Sequence, residues 1–230
     1  MNSSSDHLEI SIDDLIEKYG VMYKVNPRFE DPRGPFTGYA VDYHDNGQLK
    51  FKVKFKNGKE DGLRENYYEK GQLAERTNYK NGELHGFFES YYKTGQLRLK
   101  GNYRDGYGDG LWERYYKNGQ LWLKGNYRDG KLDGPYEAFH INGLLRSIEN
   151  YKNGERDGLW EWYYENGQLS KRCNYKNNKK DGLTESFLKK GQLRSSKNYK
   201  DDKLEGLWES YHSNGQLRFS RNYKDGKLIE

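Results

Sequence analysis

Aromatic and aliphatic residues in this chain alternate with polar ones in short bursts, and each burst ends near a glycine. The stretch Leu111 to Gly134, LWERYYKNGQLWLKGNYRDGKLDG, holds the pattern in its clearest form. It contains two aromatic-rich runs, the first closed by Asn118-Gly119 and the second by Asp129-Gly130. A period of two fits a strand with one covered face, and Tyr, Phe and Trp suit a pleated surface. Asn-Gly and Asp-Gly are hairpin-turn signals because both residues tolerate positive φ. The pattern therefore predicts two strands and two turns.

The stretch recurs. Gly47, Gly71, Gly95, Gly119, Gly143, Gly167, Gly191 and Gly215 lie 24 residues apart, and a leucine follows each by two places, from Leu49 to Leu217. A fixed period of this length marks a repeat architecture. Cut eight residues before each glycine, the units begin at Tyr39, Leu63, Phe87, Leu111, Pro135, Leu159, Leu183 and Leu207. The expected fold is all-β. It is an elongated, solenoid-like single antiparallel sheet of eight 24-residue β-hairpin repeats over residues 39–230, preceded by a short N-terminal helical cap within residues 1–38.

The register of the hairpin can be tested against charge. A two-residue turn at Asn118-Gly119 pairs Lys117 with Gln120, Tyr116 with Leu121 and, further out, Glu113 with Lys124. The same step pairs Glu65 with Arg76, Glu89 with Lys100 and Glu161 with Arg172, and facing opposite charges favour this register. Glu137, Glu185 and Glu209 face Ile148, Ser196 and Ser220 instead. In this register Trp112, Tyr116, Leu121 and Tyr127 share the more apolar face, while Leu111, Glu113, Tyr115 and Asn126 share the other.

Residues 1–38 lie outside the period. After a disordered Ser-rich start, Ser11 and Asp14 make a capping-box-like signal ahead of Leu15 and Ile16, with Gly20 as a stop. This predicts a helix over 12–19, a strand over 21–26, and a connector carrying Pro27, Pro32 and Pro35. The segment reads as a cap over the first sheet edge, since open edges invite aggregation. Nothing comparable follows Lys227, Leu228, Ile229 and Glu230, so the C-terminal edge is a candidate surface for oligomerisation.

Composition narrows the picture. Hydrophobic residues make up 33% and charged residues 33%, a balance that signals disorder in many chains, but 16% aromatic content argues for an ordered sheet. Forty basic against 35 acidic residues give a mild net charge of +5, spread along the chain rather than gathered into a nucleic-acid-binding stripe. Neither an 18-residue apolar run nor a signal-peptide core is present, which points to a cytoplasmic protein, or to an extracytoplasmic or surface-anchored one if a leader has been removed.

The chemistry-bearing residues do not converge. His44, His140 and His212 share one unit position, but they are separated by 96 and 72 residues, too far along a repeat array to hold one ion. The Glu row from Glu65 to Glu209 reads as solvated ion pairs, and Cys173 stands alone. No catalytic residue, metal site or cofactor is expected. The tryptophans are the candidates for binding. Trp112 and Trp160 share a position with Phe88 and Tyr136, while Trp122 and Trp162 stand where most units carry Lys, Arg, Ser or Ala. A Trp that the repeat does not require is a candidate interface anchor. With Tyr116 and Tyr164 these four make the expected binding surface.

The recurring YYxNGQLxxxxNYKxGKxDGLWE resembles the MORN-repeat variant family of tandem bacterial arrays over Gly38 to Glu230, and LIEKYGVMYKVN with GPFTG resembles the leading segment of such proteins. That resemblance implies β-hairpin arrays with a non-enzymatic binding or scaffolding role, and among the members named antitoxin or immunity components a toxin partner encoded nearby. The Tyr-Tyr and Trp repeats also resemble shorter aromatic wall-binding repeats. A protein-binding module is therefore the leading expectation, with a carbohydrate or cell-wall binder and a passive spacer as alternatives.

Overall fold

The computed structural model describes residues 9–18, 21–24 and 34–229. They form strands, turns and a single 3-10 turn at Ile12–Asp14. The chain divides into two compact units, one of residues 1–109 with 117–119, the other of residues 110–116 with 120–230.

In each unit the strands follow chain order. The first unit runs Gly38–Tyr43, Leu49–Lys56, Lys59–Tyr67, Leu73–Lys80, Glu83–Tyr91 and Leu97–Arg104, each antiparallel to the next. The second continues the same alternation from Leu121–Arg128 to Leu217–Lys224, with the strand Tyr107–Tyr115 paired to Leu121–Arg128. The expected all-β repeat of 24-residue hairpins is thus what the chain builds.

The two turns of the repeat differ. At the Asn57-Gly58 turn both residues have positive φ, 51° and 75°, and Lys56 pairs Lys59, so this is the two-residue mirror-image turn. At Asn46-Gly47 only Gly47 is left-handed, at 80°. His44 accepts from Gly47 N and donates its own N–H to Gln48 O, both at 2.8 Å, which closes a three-residue loop. The expected two-residue turn is corrected here: Asn46 serves through its side chain, not through its φ. Its Oδ1 accepts from Gln48 N at 3.0 Å, and its Nδ2 donates to Glu69 O in the next repeat at 2.7 Å.

The longer loop shifts the strand ends. Tyr115, not Tyr116, pairs Leu121, and a bulge at Trp122 restores Arg114 to Leu123 and Glu113 to Lys124. An extra residue in the loop and an extra residue in the strand cancel, so the predicted pairing holds at Glu113 and fails at Tyr116. Leu121 consequently lies on the Glu113 face rather than the Trp112 face. A second bulge follows each two-residue turn: Gly125 pairs Tyr136 and Tyr127 pairs Leu132, which leaves Asp133 and Gly134 (φ 105°) as extra residues.

Alternation then sends one set of side chains inward. In the first unit Ala40, Val53 and Phe55 are buried, joined by Leu15 and Phe36 from the preceding segment. In the second, Trp160, Cys173 and Tyr175 form the buried cluster, with Tyr151 and Trp162 packed on it.

The expected helix over 12–19 is not formed. Ser11 caps only the 3-10 turn, accepting from Asp13 N at 3.3 Å, and Leu15–Lys18 then pairs Val21–Lys24 as a hairpin. An eight-residue helix is marginal by itself. Here Leu15 is buried against the first repeat with Ile10, Ile12 and Met22 beside it, and backbone bonds run from Met22 N to Gly58 O and from Phe36 N to Met22 O. Glu9–Ser11 adds a parallel strand to Gly38–Tyr43. Of the expected strand over 21–26, Val21–Lys24 is observed. Residues 25 and 26, Pro27 and Pro32 lie outside the described residues.

Candidate functional site

The six aromatic residues singled out from the sequence all lie in the second unit, in separate groups. Trp122, as the bulge residue, lies over Tyr116 with ring centroids 5.6 Å apart and planes 28° from parallel. The Arg114 guanidinium sits 5.4 Å from the Trp122 ring. Trp112 meets Tyr127 edge-on at 6.2 Å. Trp160 is 7% exposed and belongs to the core: its ring contacts Tyr175 at 5.0 Å and Tyr151 at 5.2 Å, and its N–H donates to Asn150 O at 2.9 Å. Trp162 packs on Trp160 at 5.8 Å and carries Lys171 Nζ 4.9 Å above its ring.

Tyr116 and Tyr164 have a further task. Their hydroxyls donate to the carbonyls of Phe139 and Phe187, each at 2.8 Å and each 23 residues ahead. Tyr68 does the same to Tyr91 O at 2.7 Å, in the first unit. His44 and His140 place Nε2 at the equivalent carbonyls, those of Tyr67 and Tyr163, at 2.9 and 3.1 Å. Histidine and tyrosine thus exchange at this position because both carry a polar atom at the far end of a ring. Among the described residues no three His, Cys, Asp or Glu gather as metal ligands.

The opposite face carries the charge ladder. The register puts Glu65 beside Arg76 and Glu161 beside Arg172, yet the ion pairs reach forward into the following repeat. Arg76 meets Glu89 at 2.5 Å, Lys124 meets Glu137 at 3.0 Å, and Arg172 meets Glu185. Glu137 and Glu185, which have no base on one side, therefore receive one from the other. Tyrosines two residues after the glutamates add hydroxyl bonds, as Tyr91 to Glu89 at 2.5 Å and Tyr163 to Glu161 at 2.8 Å. Burial and the Glu161 carboxylate push the Tyr163 hydroxyl up to about 12. Burial alone would raise Glu89, but the bonds from Arg76 and Tyr91 outweigh it and hold its carboxyl below the usual value.

A repeat of this kind is recognisable as a family pattern. The model described as "MORN repeat variant" matches residues 36–57, 60–81, 84–105, 108–129, 156–177 and 204–225, more than half of the chain. The chain belongs to the MORN repeat variant family. Two stretches of this MORN repeat protein fall outside the matched ranges and still form complete hairpins, Lys131–Phe139 with Leu145–Lys152 and Lys179–Phe187 with Leu193–Lys200. Each has Phe (Phe139, Phe187) where the other six repeats have Tyr. No curated protein matches the chain. A crystal structure described as "Crystal structure of GtfA/B complex bound to UDP and GlcNAc" resembles it at 15% identity, over 63% of this chain and 25% of that one, with a TM-score of 0.18. The MORN repeat protein thus spans about a quarter of that structure's length.

Proposed function

We propose that this MORN repeat protein is a non-catalytic protein-binding module and that Trp122 anchors its partner. The observation that carries this reading is the placement of Trp122 at a bulge, half-buried against Tyr116 and flanked by Arg114. A β-bulge re-aims one side chain out of the alternation. Trp, Tyr and Arg are the residue types that dominate interface energetics. The other repeats put Lys50, Ala74, Arg98, Arg146, Ser170, Arg194 and Arg218 at this position, so the fold itself does not call for a large ring there.

The finer form of the proposal is an immunity-like protein with one dedicated partner, and the family resemblance makes a toxin encoded nearby the partner class to test first. Tagged protein retaining one stoichiometric protein supports the reading. Trp122→Ala then weakens that complex by about 2 kcal/mol, roughly thirtyfold in Kd, while the urea midpoint stays in place. Retention of wall fragments, or a complex indifferent to both Trp122→Ala and Trp162→Ala, overturns it.

A further inference from the structure

The inward face changes character along the second unit. From the sixth repeat onward its regular positions carry Lys171, Lys180, Lys197 and Arg221 and no carboxylate, and Arg156, near the end of the fifth repeat, adjoins them. The inward acid of that fifth repeat, Glu149, accepts from Tyr151 and Ser147. Overall the chain holds 40 basic and 35 acidic residues, so four regular inward cations without one acid is a local departure from the composition. The nearby acids Asp157, Asp181 and Glu205 sit in the bulges rather than in these rows, and Asp202 is engaged in a turn, accepting from Lys180 N at 2.9 Å.

Each of the five sits on a ring. Lys197 Nζ lies 4.2 Å from the Trp208 ring, Arg156 4.5 Å from Tyr175, Arg221 4.8 Å from Phe219, Lys171 4.9 Å from Trp162 and Lys180 5.0 Å from Tyr199. Ring faces hold a cation by its charge but leave its outward side without a counter-ion. No ion pair joins any of the five to an acid among the described residues. Burial first, and the neighbouring Lys180 and Lys171 charges after it, push the Lys197 ammonium below its ordinary value.

We propose that this tract is the docking surface for an acidic polypeptide segment. Register places Lys197 and Arg221 in one row on either side of Trp208, about two strand spacings or roughly 10 Å apart. Arg156 and Lys180 flank Tyr175 in the next row, and Lys171 belongs to a third. An extended chain with carboxylates on alternate residues presents charges about 7 Å apart and can reach several of these cations at once. A single-stranded nucleic acid needs open ring faces on which bases stack. Here cations already cover those faces, which favours carboxylates over bases. The inference rests on the protein-binding reading above but uses different residues.

The test is fluorescence anisotropy of fluorescein-labelled poly-glutamate with the full chain. Binding that weakens steeply with salt is expected. The combined Lys171→Gln, Lys180→Gln, Lys197→Gln variant should bind about tenfold or more weakly. An equal charge change at the exposed turn residues, Lys152→Gln, Lys176→Gln, Lys200→Gln, should alter affinity by no more than about twofold. Equal losses in both variants, no binding at low salt, or tighter binding of oligo-deoxythymidylate than of poly-glutamate overturns the proposal. Acetylation of the unaltered chain supplies a readout that does not depend on variant folding: poly-glutamate must protect Lys171, Lys180 and Lys197 over the turn lysines, and uniform labelling sinks the site. A protein partner held equally by wild type and the inward variant defeats this inference alone, whereas poly-glutamate binding without any protein partner defeats the reading under the previous heading.

Discussion

The first and second units build their inward faces on one repeat and fill them differently. In the first, Ala40, Val53 and Phe55 are 0–4% exposed, clustered with Leu15 and Phe36 from ahead of the first repeat strand. Its inward charges are largely neutralised within the unit: Asp42 by Lys50 at 2.7 Å and Glu60 by Arg64 at 2.8 Å. The second unit consists of strands and turns alone among its described residues, and its cover comes from the strands themselves. Tryptophan and tyrosine rings lie against one another, and the stems of arginine and lysine lie over the rings with their charges toward water. A single sheet lacks a second layer. Where a separate segment supplies one, aliphatic side chains suffice, and where none does, the layer is made of long amphipathic side chains, which leaves a chemically rich surface behind.

Removing the centre of the ring cluster should separate the two units most sharply. Trp160→Ala is expected to cost about 3–5 kcal/mol, with amide-exchange protection lost around Tyr151, Cys173 and Tyr175 and kept around Val53 and Phe55. Equal loss in both regions would mean that the units do not fill their faces independently. Gly125→Ala comes next. A Cβ there would lie 2.6 Å from the Tyr136 ring, so the ring must move, at about 1–3 kcal/mol. The equivalent first-unit positions hold Val53, Thr77 and Gly101, so the repeat itself admits a Cβ there.

Alkaline unfolding sharpens the comparison further. The Tyr163 hydroxyl titrates near 12 in the folded protein, above its ordinary value of 10.0, so its contribution is whole below pH 10 and is lost as pH rises toward 12. Tyr151 and Tyr175 are raised as well, again chiefly by burial. Tyrosinate absorbance should therefore appear late and together with loss of the second unit's structure. Gradual ionisation near pH 10 without unfolding would contradict the packing described. The smallest effect is expected at Arg76→Ala. Arg76 is 43% exposed, and a pair of this kind contributes no more than about 1 kcal/mol. The depressed Glu89 carboxyl adds stability that is present above the ordinary value of 4.5 and fades as pH falls through the lower folded value, so the Arg76→Ala difference should vanish in acid.

Much of this was legible in the residues. The glycine–leucine period located all eight hairpins, and the pairing of Glu113 with Lys124 came out right. It came out right through two compensating one-residue shifts, which is why Tyr116 and Leu121 were misplaced while Glu113 was not. Asn118-Gly119 and Asp129-Gly130 look alike as dipeptides, yet only Asp129 takes positive φ. The choice depends on an asparagine side chain reaching the neighbouring repeat, as Asn142 reaches Glu165 O at 3.0 Å, and a local reading of one turn does not contain that neighbour. Ser11 to Asp14 looked like a helix start because a capping signal does not say how many turns follow. Trp160, a binding candidate by sequence beside Trp122, is core, and the cations of the inward face are not legible in the residues alone, since what faces inward depends on where the bulges fall.

The hydroxyl of Tyr116 on the carbonyl of Phe139 is, in effect, a ruler. It measures one repeat less one residue, and the same measure holds from Tyr68 to Tyr91 and from Tyr164 to Phe187. Insert a single residue between two such marks and the ring meets the wrong peptide, while the strand beyond turns its other side to the core. Insert or delete 24 and every mark falls on its counterpart. Genetic change in such a gene is tolerated in whole copies, so its descendants should differ in repeat number by integers while the spacing stays constant.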